Sequence, residues 1–257
     1  MAPDRFGLFI SLGPFRLDPA GAAGGENREM SFIPPSPAVR TFLEQCLPDG
    51  AAAFTDKMAL LGQFLYETNE QVNLTAIPPE KFWSLHVADS LSPVRYFPDL
   101  FRRGTALLDL GCGAGFPSLV LAAAFPEVSL TSVDSTLKKI NFVQSAAEKL
   151  ALGNLKAVHG RGNELARKPP FKGRYDAVFA RAVASADILI REGLAFLKTG
   201  SSLIVYRTRE QYESELEFLK KWKKGSFRST ELFELPDRTG TRMFLQISPC
   251  SQPGSKN

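Results

Sequence analysis

The sequence predicts an α/β fold, in which a mixed seven-stranded sheet ends in an antiparallel hairpin and follows a helical cap. Two observations carry this prediction. The apolar run Leu107–Leu110 leads into a loop with glycines at 111, 113 and 115, and a second apolar run, Val128–Val133, ends at Asp134. A strand, a glycine loop and an acid after the next strand form the pattern of a Rossmann-like nucleotide-binding unit.

The part before the first strand is predicted to be an extension followed by helices. Residues 1–35 are rich in Gly, Ala and Pro without periodicity, which predicts a flexible extension. Residues 36–103 are predicted to form a cap of three helices. The first begins at Ser36-Pro37, an N-cap followed by proline, and ends near Leu47. The second covers about 52–69, where apolar residues keep helical spacing, and the third follows Pro78-Pro79.

Residues 104–250 are predicted to form the nucleotide-binding domain, and 251–257 a tail. Further strands are predicted at 155–159, 175–180 and 203–206, with helices at 118–124, 136–150, 188–196 and 210–222. Segments 230–235 and 241–247, joined by the turn 236–240, are predicted to form the terminal hairpin. Five alternating strands followed by a hairpin are the layout of class I S-adenosylmethionine (SAM)-dependent methyltransferases, whose seventh strand is antiparallel. A NAD-binding Rossmann domain lacks that ending.

The glycine spacing bears on which nucleotide is bound. The dinucleotide fingerprint is G-x-G-x-x-G, whereas Gly111, Gly113 and Gly115 are evenly spaced and Phe116 stands at the last fingerprint position. No Lys-Ser/Thr pair follows, which excludes a P-loop. A ligand without phosphate, such as SAM, fits this loop better than NAD, although a NAD-dependent oxidoreductase stays open as an alternative. Asp134 is predicted to hold the ribose hydroxyls, with a helix N-cap as its alternative role.

Composition restricts the function classes further. The 257 residues are 44% hydrophobic and 23% charged, as in ordinary soluble globular proteins, and no apolar run reaches the roughly 20 residues of a membrane span. Three widely spaced cysteines favour a reducing, cytoplasmic location, and two histidines make a metal site improbable. A net charge of +4 permits a polyanionic partner.

Six segments resemble one family in particular. They are NLTAI (73–77), HVADSL (86–91), LDLGCGAGFP (108–117), VDSTLKKINFV (133–143), HGRGNEL (159–165) and YDAVFARAVA (175–184). In this order they resemble the RsmG (GidB) family. The resemblance implies methylation of N7 of guanine 527, in the 530 loop of 16S rRNA, with SAM as cofactor. The partner would be 16S rRNA, the small ribosomal subunit or its assembly intermediate, and we expect a monomer.

The resemblance also implies the site residues. Cofactor contacts would come from Gly111, Phe116, Arg181 and the Gly162-Asn163 backbone, with Gly113, Gly115 and Asp134 added from the loop pattern. The substrate side would include His86 and Arg207. Each of these has a structural alternative: Arg181 a surface salt bridge, Phe116 a helix–strand contact, and His86 with Asp89 a tie between cap and sheet. No catalytic acid or base is predicted, because guanine N7 carries a free lone pair and no proton.

The chain departs from the family pattern at three places. Ser118 stands where members usually have Gly, Gly162-Asn163 where they have Ala-Glu, and Arg207-Thr208 where they have Lys-Gly. The first two lie on the predicted cofactor side, and the third on the predicted RNA side. Arginine keeps the charge of lysine but not its geometry.

Overall fold

The structure, a computed structural model, describes residues 32–250, so most of the predicted extension and the predicted tail lie outside the described residues. The strands are β1 (Ala106–Leu110), β2 (Ser129–Asp134), β3 (Leu155–His159), β4 (Tyr175–Arg181), β5 (Leu197–Arg207), β6 (Gly225–Ser229), β7 (Phe233–Glu234) and β8 (Thr241–Pro249). They form one sheet in the order β3-β2-β1-β4-β5-β8-β6, and β7 pairs with β8. The first five strands are parallel, and β8 is antiparallel to β5 and β6. The predicted fold class is confirmed.

Eight α-helices flank the described strands. They are α1 (Pro37–Cys46), α2 (Ala51–Val72), α3 (Asp89–Leu91), α4 (Ser118–Ala124), α5 (Leu137–Lys149), α6 (Gly162–Leu165), α7 (Ala186–Gly193) and α8 (Arg209–Lys221). Helix α1 begins as predicted: the Ser36 side chain accepts a hydrogen bond from Val39 N, and proline follows at the first helical position.

The hydrophobic core has two parts, one on each face of the sheet. The first joins the cap helices, α4 and α5 to one face, and the second joins α6, α7 and α8 to the other. Inward residues of the parallel strands, such as Leu107 and Leu108, are fully buried on both faces, which explains their near-continuous apolar runs. The cap therefore shares its core with the sheet.

Residues 32–35, the last part of the predicted extension, lie within the described residues, and Phe32 packs on the cap. The Phe32 ring stacks on Tyr66 at 5.9 Å and meets Phe82 edge-on at 5.0 Å. It also covers Gly62 of α2, where a Cβ atom would collide with the ring. One aromatic side chain placed against a glycine anchors this segment, a contact that the composition of the extension does not reveal.

The third predicted cap helix is not a regular α-helix. After a 3₁₀ turn at Pro79–Lys81, residues Phe82–Ala88 form a π-helix that continues into α3 and a second 3₁₀ turn. Its wider turn buries Phe82 and Trp83 in the core while His86 reaches the sheet edge. Single π-helical turns are rare and occur often at functional sites.

The terminal hairpin has a divided first arm, which gives eight strands where seven were predicted. Strand β6 lies before the predicted arm, and β7 is the short remainder of it. At the break, Thr230 N donates to Phe244 O, and the Thr230 hydroxyl accepts from Phe244 N, both at 2.9 Å. The Thr230 hydroxyl thus takes the place of a backbone carbonyl as acceptor. Between the paired residues of β6 and β7, residues 230–232 lie opposite residues 243–244, and this one extra residue forms a β-bulge.

The turn after β7 ties the hairpin to the cap. Asp237, with a φ of +59°, accepts hydrogen bonds from two serine hydroxyls, Ser36 at 2.7 Å and Ser84 at 2.9 Å. Ser36 caps α1 and Ser84 belongs to the π-helix. One carboxylate thus fixes both cap elements.

Candidate functional site

The glycine loop after β1 presents bare backbone to a cavity. Gly111, Gly113 and Gly115 have φ values of +72°, +56° and +84°, a region that side chains rarely adopt. A Cβ atom on Gly113 would meet nothing within 4 Å, whereas one on Gly111 would lie 2.6 Å from Val183. Gly113 therefore leaves open space beside its Cα atom for a ligand, and Gly111 allows Val183 to pack over the loop.

Asp134, at the end of β2, faces the same cavity. One carboxylate oxygen accepts from Gly113 N at 3.0 Å and the other from Thr136 N at 2.8 Å. These bonds fix the carboxylate at the loop and leave lone pairs that can accept the two vicinal hydroxyls of a ribose. The N-cap alternative holds in part, because Thr136 immediately precedes α5.

Asp109 of β1 lies behind the loop and does not line the cavity. It is 1% exposed, and one oxygen accepts from Ser118 N at 3.1 Å, at the start of α4. Burial raises the pKa of Asp109 from 3.8 to about 6, although the bond from Ser118 opposes this shift. Ser118 is itself buried and accepts a hydrogen bond from the Ser132 hydroxyl at 2.7 Å. The Ser118 hydroxyl, at a position where the family usually has Gly, thus links α4 to β2.

Arg181, His86 and Phe116 form a stacked group where the cap meets the sheet. The His86 and Phe116 rings stack at 4.1 Å between centroids, and the Arg181 guanidinium lies 5.6 Å from the Phe116 ring. Arg181 Nη2 lies 3.4 Å from His86 Nδ1. Burial and the charge of Arg181 hold the pKa of His86 well below its usual range, so the imidazole is neutral at physiological pH.

The hydrogen bonds also fix the tautomer of His86. Arginine can only donate, so Nδ1 accepts and the proton lies on Nε2, which donates to Thr75 Oγ1 at 3.0 Å. Thr75 is positioned by Asn69, whose side-chain oxygen accepts from Leu74 N and Thr75 N. The segment 73–77 therefore reaches the site through the end of α2, where Asn73 adopts a left-handed C-cap.

A buried acid orders two arginines beside this group. Asp89 is 2% exposed and pairs with Arg181 Nη1 and Arg242 Nε, both at 3.2 Å. Arg181 also donates to Leu85 O at 3.0 Å. The salt-bridge alternative for Arg181 is therefore present, but as a buried tie to the cap at the cavity wall and not as a surface pair.

The cavity that joins these groups has a volume of about 730 Å³ and opens at the carboxyl ends of the parallel strands. Such a crevice is where ligands bind in open α/β sheets. Of the predicted site residues, those that line it are Gly111, Gly113, Phe116, Asp134, Gly162, Arg181 and His86. The two ends of the cavity differ: the cap end carries Arg181 and His86, and the other end carries Gly162.

Three predicted site residues lie away from the cavity wall. Gly115 is buried behind the loop, and Asn163 is exposed at the start of α6. Arg207 is 2% exposed, and its guanidinium pairs with Glu215 of α8 through Nε and Nη2 and donates to Ala184 O at 2.7 Å. Its position does not support the predicted substrate contact, because burial between β5 and α8 turns the side chain away from solvent.

The cavity also contains residues that the pattern of motifs did not single out. Thr75, Arg161, Val183 and Glu192 line it, and so does Lys139, the inner member of a lysine pair on α5. Four of these residues, Thr75, Lys139, Arg161 and Val183, lie within the six segments of the family resemblance and could have been found there. Glu192 could not, because it belongs to α7 and reaches the site only through the packing of that helix.

The arrangement suits a nucleoside that carries a charged amino acid. It offers an uncovered glycine backbone, a carboxylate for ribose and cations at one end, within a cavity large enough for such a ligand. No cluster of three or more His, Cys, Asp or Glu side chains that could hold a metal occurs within residues 32–250. In that same range, none of the helices has the length and hydropathy needed to cross a membrane.

Comparison with known proteins identifies a family match. The sequence model of the GidB family, described as rRNA small subunit methyltransferase G, matches residues 55–238. The chain is 36% identical over 208 residues to the ribosomal RNA small subunit methyltransferase G of Microcystis aeruginosa, covering 78% of this chain and 92% of that protein. It is also 36% identical over 200 residues to the protein of the same name from Brevibacillus brevis, covering 74% of this chain and 83% of the relative.

Solved structures agree on the fold. A putative SAM-dependent methyltransferase of Methanococcus maripaludis superposes with a TM-score of 0.52 at 14% identity, covering 74% of this chain and 93% of that one. A SAM-dependent O-methyltransferase of Thermotoga maritima gives 0.50 at 18% identity, covering 74% and 73%. At these identities the likeness concerns the fold alone.

Proposed function

The chain belongs to the GidB family of rRNA small subunit methyltransferase G, and on that premise we propose that it methylates N7 of guanine 527 in 16S rRNA. SAM is the methyl donor. The substrate is the 530 loop of 16S rRNA, met as free RNA, in the small ribosomal subunit or in an assembly intermediate. Family membership speaks against the alternative of a NAD-dependent oxidoreductase.

We assign the residues that line the cavity to parts of the bound cofactor. The bare backbone of Gly111 and Gly113 lets the ligand approach closely, Asp134 accepts the ribose hydroxyls, and Gly162 borders the base next to the Asn163 backbone. Gly115 acts from behind the loop by permitting its turn. Arg181 supplies the positive charge that a methionyl carboxylate requires. The observation that carries the proposal is the fixed Asp134 carboxylate, bonded to Gly113 and Thr136 in the wall of a nucleoside-sized cavity.

The chemistry requires little of the protein beyond positioning. When bound, SAM supplies an electrophilic methyl group on a sulfonium. Guanine N7 holds a lone pair in the ring plane and no proton, so no residue has to act as a base. SAM held by Asp134 and Arg181 would give up its methyl group to N7 and keep the electron pair of the carbon–sulfur bond on sulfur. Positioning of this kind contributes up to roughly 7–11 kcal/mol.

The stacked group at the cap provides that positioning. His86 is neutral and bonded on both nitrogens, to Arg181 and Thr75, so it is a rigid wall and not a proton carrier. Phe116 lies beneath it and presents an aromatic surface between loop and cap. The acceptor guanine approaches on this side of the cavity, and the product ring, which becomes cationic, gains from the adjacent aromatic faces.

The proposal is tested by mapping N7-methylguanine in 16S rRNA. In a strain that lacks this protein, chemical cleavage at N7-methylguanine should disappear at position 527 and return when the wild-type chain is expressed. The variant Asp134→Ala should fail to restore cleavage, whereas Glu164→Ala, which changes an exposed acid outside the cavity, should restore it. Persistence of the mark in the deletion strain, with no second enzyme making it, would refute the assigned target.

Assays with purified substrates separate the forms of the RNA. Labelled SAM is incubated with deproteinised 16S rRNA and, separately, with small subunits from the deletion strain. Label at guanine 527 in either substrate supports the proposal and identifies the preferred form. Label at another nucleotide would support methyltransferase activity but would refute guanine 527 as the target.

A further inference from the structure

Glu192 places an unpaired carboxylate in the cavity wall. It is the second-last residue of α7, half-buried, and with Asp134 it is one of two acids among the lining residues. Unlike Asp134, it makes no hydrogen bond or ion pair with any residue in the described part of the chain. A ligand that covers this carboxylate and displaces water from it has to supply hydrogen-bond donors in return.

The neighbourhood of Glu192 places it at the end of the cavity away from Arg181. Its Oε2 lies 3.0 Å from the position that a Cβ atom on Gly162 would occupy, and Leu110 Cδ1 lies 2.7 Å from that same position. Gly162 follows β3, the strand that pairs with β2 and its terminal Asp134. The absence of a side chain at residue 162 is what leaves room for the glutamate to reach the wall.

The order of groups along the cavity determines what Glu192 meets. In the sheet order β3-β2-β1-β4, Asp134 at the end of β2 lies between Gly162, which follows β3, and Arg181 at the end of β4. Asp134 is the proposed ribose ligand, and Arg181 is the proposed cation for the amino acid end of the cofactor. The base therefore lies toward Gly162 and Glu192, over the apolar side chains of Leu110 and Val133. A carboxylate can only accept hydrogen bonds, and the donor that adenine offers at its edge is the exocyclic N6 amine.

We infer that Glu192 is the specificity residue for the cofactor's base and accepts a hydrogen bond from the N6 amine of adenine. The assignment rests on the proposed SAM site and extends it to a residue on α7. A purine with an oxygen at position 6 would bring that oxygen against the carboxylate, which disfavours it. The site therefore selects 6-amino over 6-oxo purine nucleosides.

The test is a ligand–residue cycle measured by calorimetry. S-adenosylhomocysteine and its analogue with hydrogen in place of the 6-amino group are titrated into the wild-type chain, Glu192→Ala and the control Glu164→Ala. The wild type and the control should bind the amino ligand about tenfold more tightly than the analogue, because a hydrogen bond to a charged group is lost. Glu192→Ala should bind both ligands within about twofold of each other.

A second pair of measurements tests the sign of the selection. The 6-oxo analogue should bind the wild type more weakly than the 6-hydrogen analogue. Glu192→Gln, whose amide can donate to an oxygen, should bind the 6-oxo analogue better than the wild type does. Thermal unfolding of each variant confirms that it is folded.

The outcomes distinguish this inference from the function on which it rests. If Glu192→Ala keeps the full preference for the amino ligand, Glu192 does not contact N6 and the inference is overturned alone. If the wild type binds none of the three ligands, the SAM site is overturned and the inference with it. Equal binding of both ligands by the wild type also overturns the inference.

Discussion

The buried pair between Arg207 and Glu215 should contribute strongly to stability, and Glu215→Ala tests this. The two side chains are 3% and 12% exposed, with Nε–Oε2 and Nη2–Oε1 distances of 2.9 and 3.0 Å. Glu215 also accepts from Ala186 N at 2.8 Å, at the start of α7, and Arg207 donates to Ala184 O. The pair therefore holds β5, α8 and the loop over the cavity together.

The expected loss of stability arises because Glu215→Ala leaves the charge of Arg207 buried without its partner. Removing one member of a buried pair typically costs about 3–5 kcal/mol. For a chain of this size each kcal/mol lowers the melting temperature by about 2–4 °C, so Glu215→Ala should melt roughly 6–20 °C lower. Urea denaturation gives the free energy of unfolding, and calorimetry gives the melting temperature. Arg207→Lys should lose less, about 1–3 kcal/mol, because lysine keeps the charge but cannot make the forked contact.

The reasoning is checked by a double replacement. Arg207→Met with Glu215→Leu removes both charges, so its loss should be smaller than the summed losses of Arg207→Met alone and Glu215→Leu alone by about 1–3 kcal/mol. Glu215→Gln removes the charge but keeps an acceptor for Ala186 N. It therefore distinguishes the contribution of the charge from that of this hydrogen bond at the start of α7. If the losses of the two single variants add up in the double variant, or if Glu215→Ala loses less than about 1 kcal/mol, the pair has no structural role. That result would favour the predicted contact of Arg207 with the RNA.

Three further predictions concern the first strand and its loop. Gly115→Ala should lower the free energy of unfolding by at least about 1–2 kcal/mol, because φ is +84° and the new Cβ meets a leucine, whereas Gly153→Ala has open space and should stay within about 0.5 kcal/mol of wild type. The raised pKa of Asp109 favours the protonated folded state, so the stability of wild type relative to Asp109→Asn should be greatest below pH 4 and fall as the pH rises through about 6. Ser118→Ala should cost about 1–3 kcal/mol, because the buried Ser132 hydroxyl loses its acceptor, and adding Ser132→Ala should recover part of it.

Urea denaturation checks all three. Equal losses for the two glycine variants would show that the left-handed backbone at the loop is not the cause. A relative stability of wild type that rises between pH 4 and 6 would mean that the pKa of Asp109 is lowered and not raised. If the double serine variant is less stable than Ser118→Ala, the hydroxyl pair does not act as a unit.

The parts of the fold that are encoded locally could be predicted from sequence. Strands β1 to β4, the glycine loop and Asp134 each depend on residues next to one another in the chain, and the structure brings Gly111, Gly113 and Asp134 to one cavity. Helix α1 was predictable for the same reason, since its cap and proline are adjacent.

The parts that depend on distant contacts could not be predicted. The π-helix forms because Phe82 and Trp83 must enter the core while His86 faces the sheet. The break in the hairpin depends on the Thr230 hydroxyl reaching a strand fourteen residues away. An arginine at residue 207 is compatible with an exposed RNA contact and with a buried ion pair. The sequence does not show that Glu215 lies beside it, and that contact is what keeps Arg207 buried.

The carboxylate of Asp237 imposes an order of events on synthesis. Its two serine partners lie 201 and 153 residues earlier in the chain. Chains leave the ribosome from the N-terminus, so the cap helices emerge first and stay without this anchor until residue 237 has been synthesised. The π-helix that carries His86 therefore gains this support only after the hairpin turn has been synthesised, and a nascent chain halted before the hairpin carries the glycine loop without the Asp237 contacts to the cap.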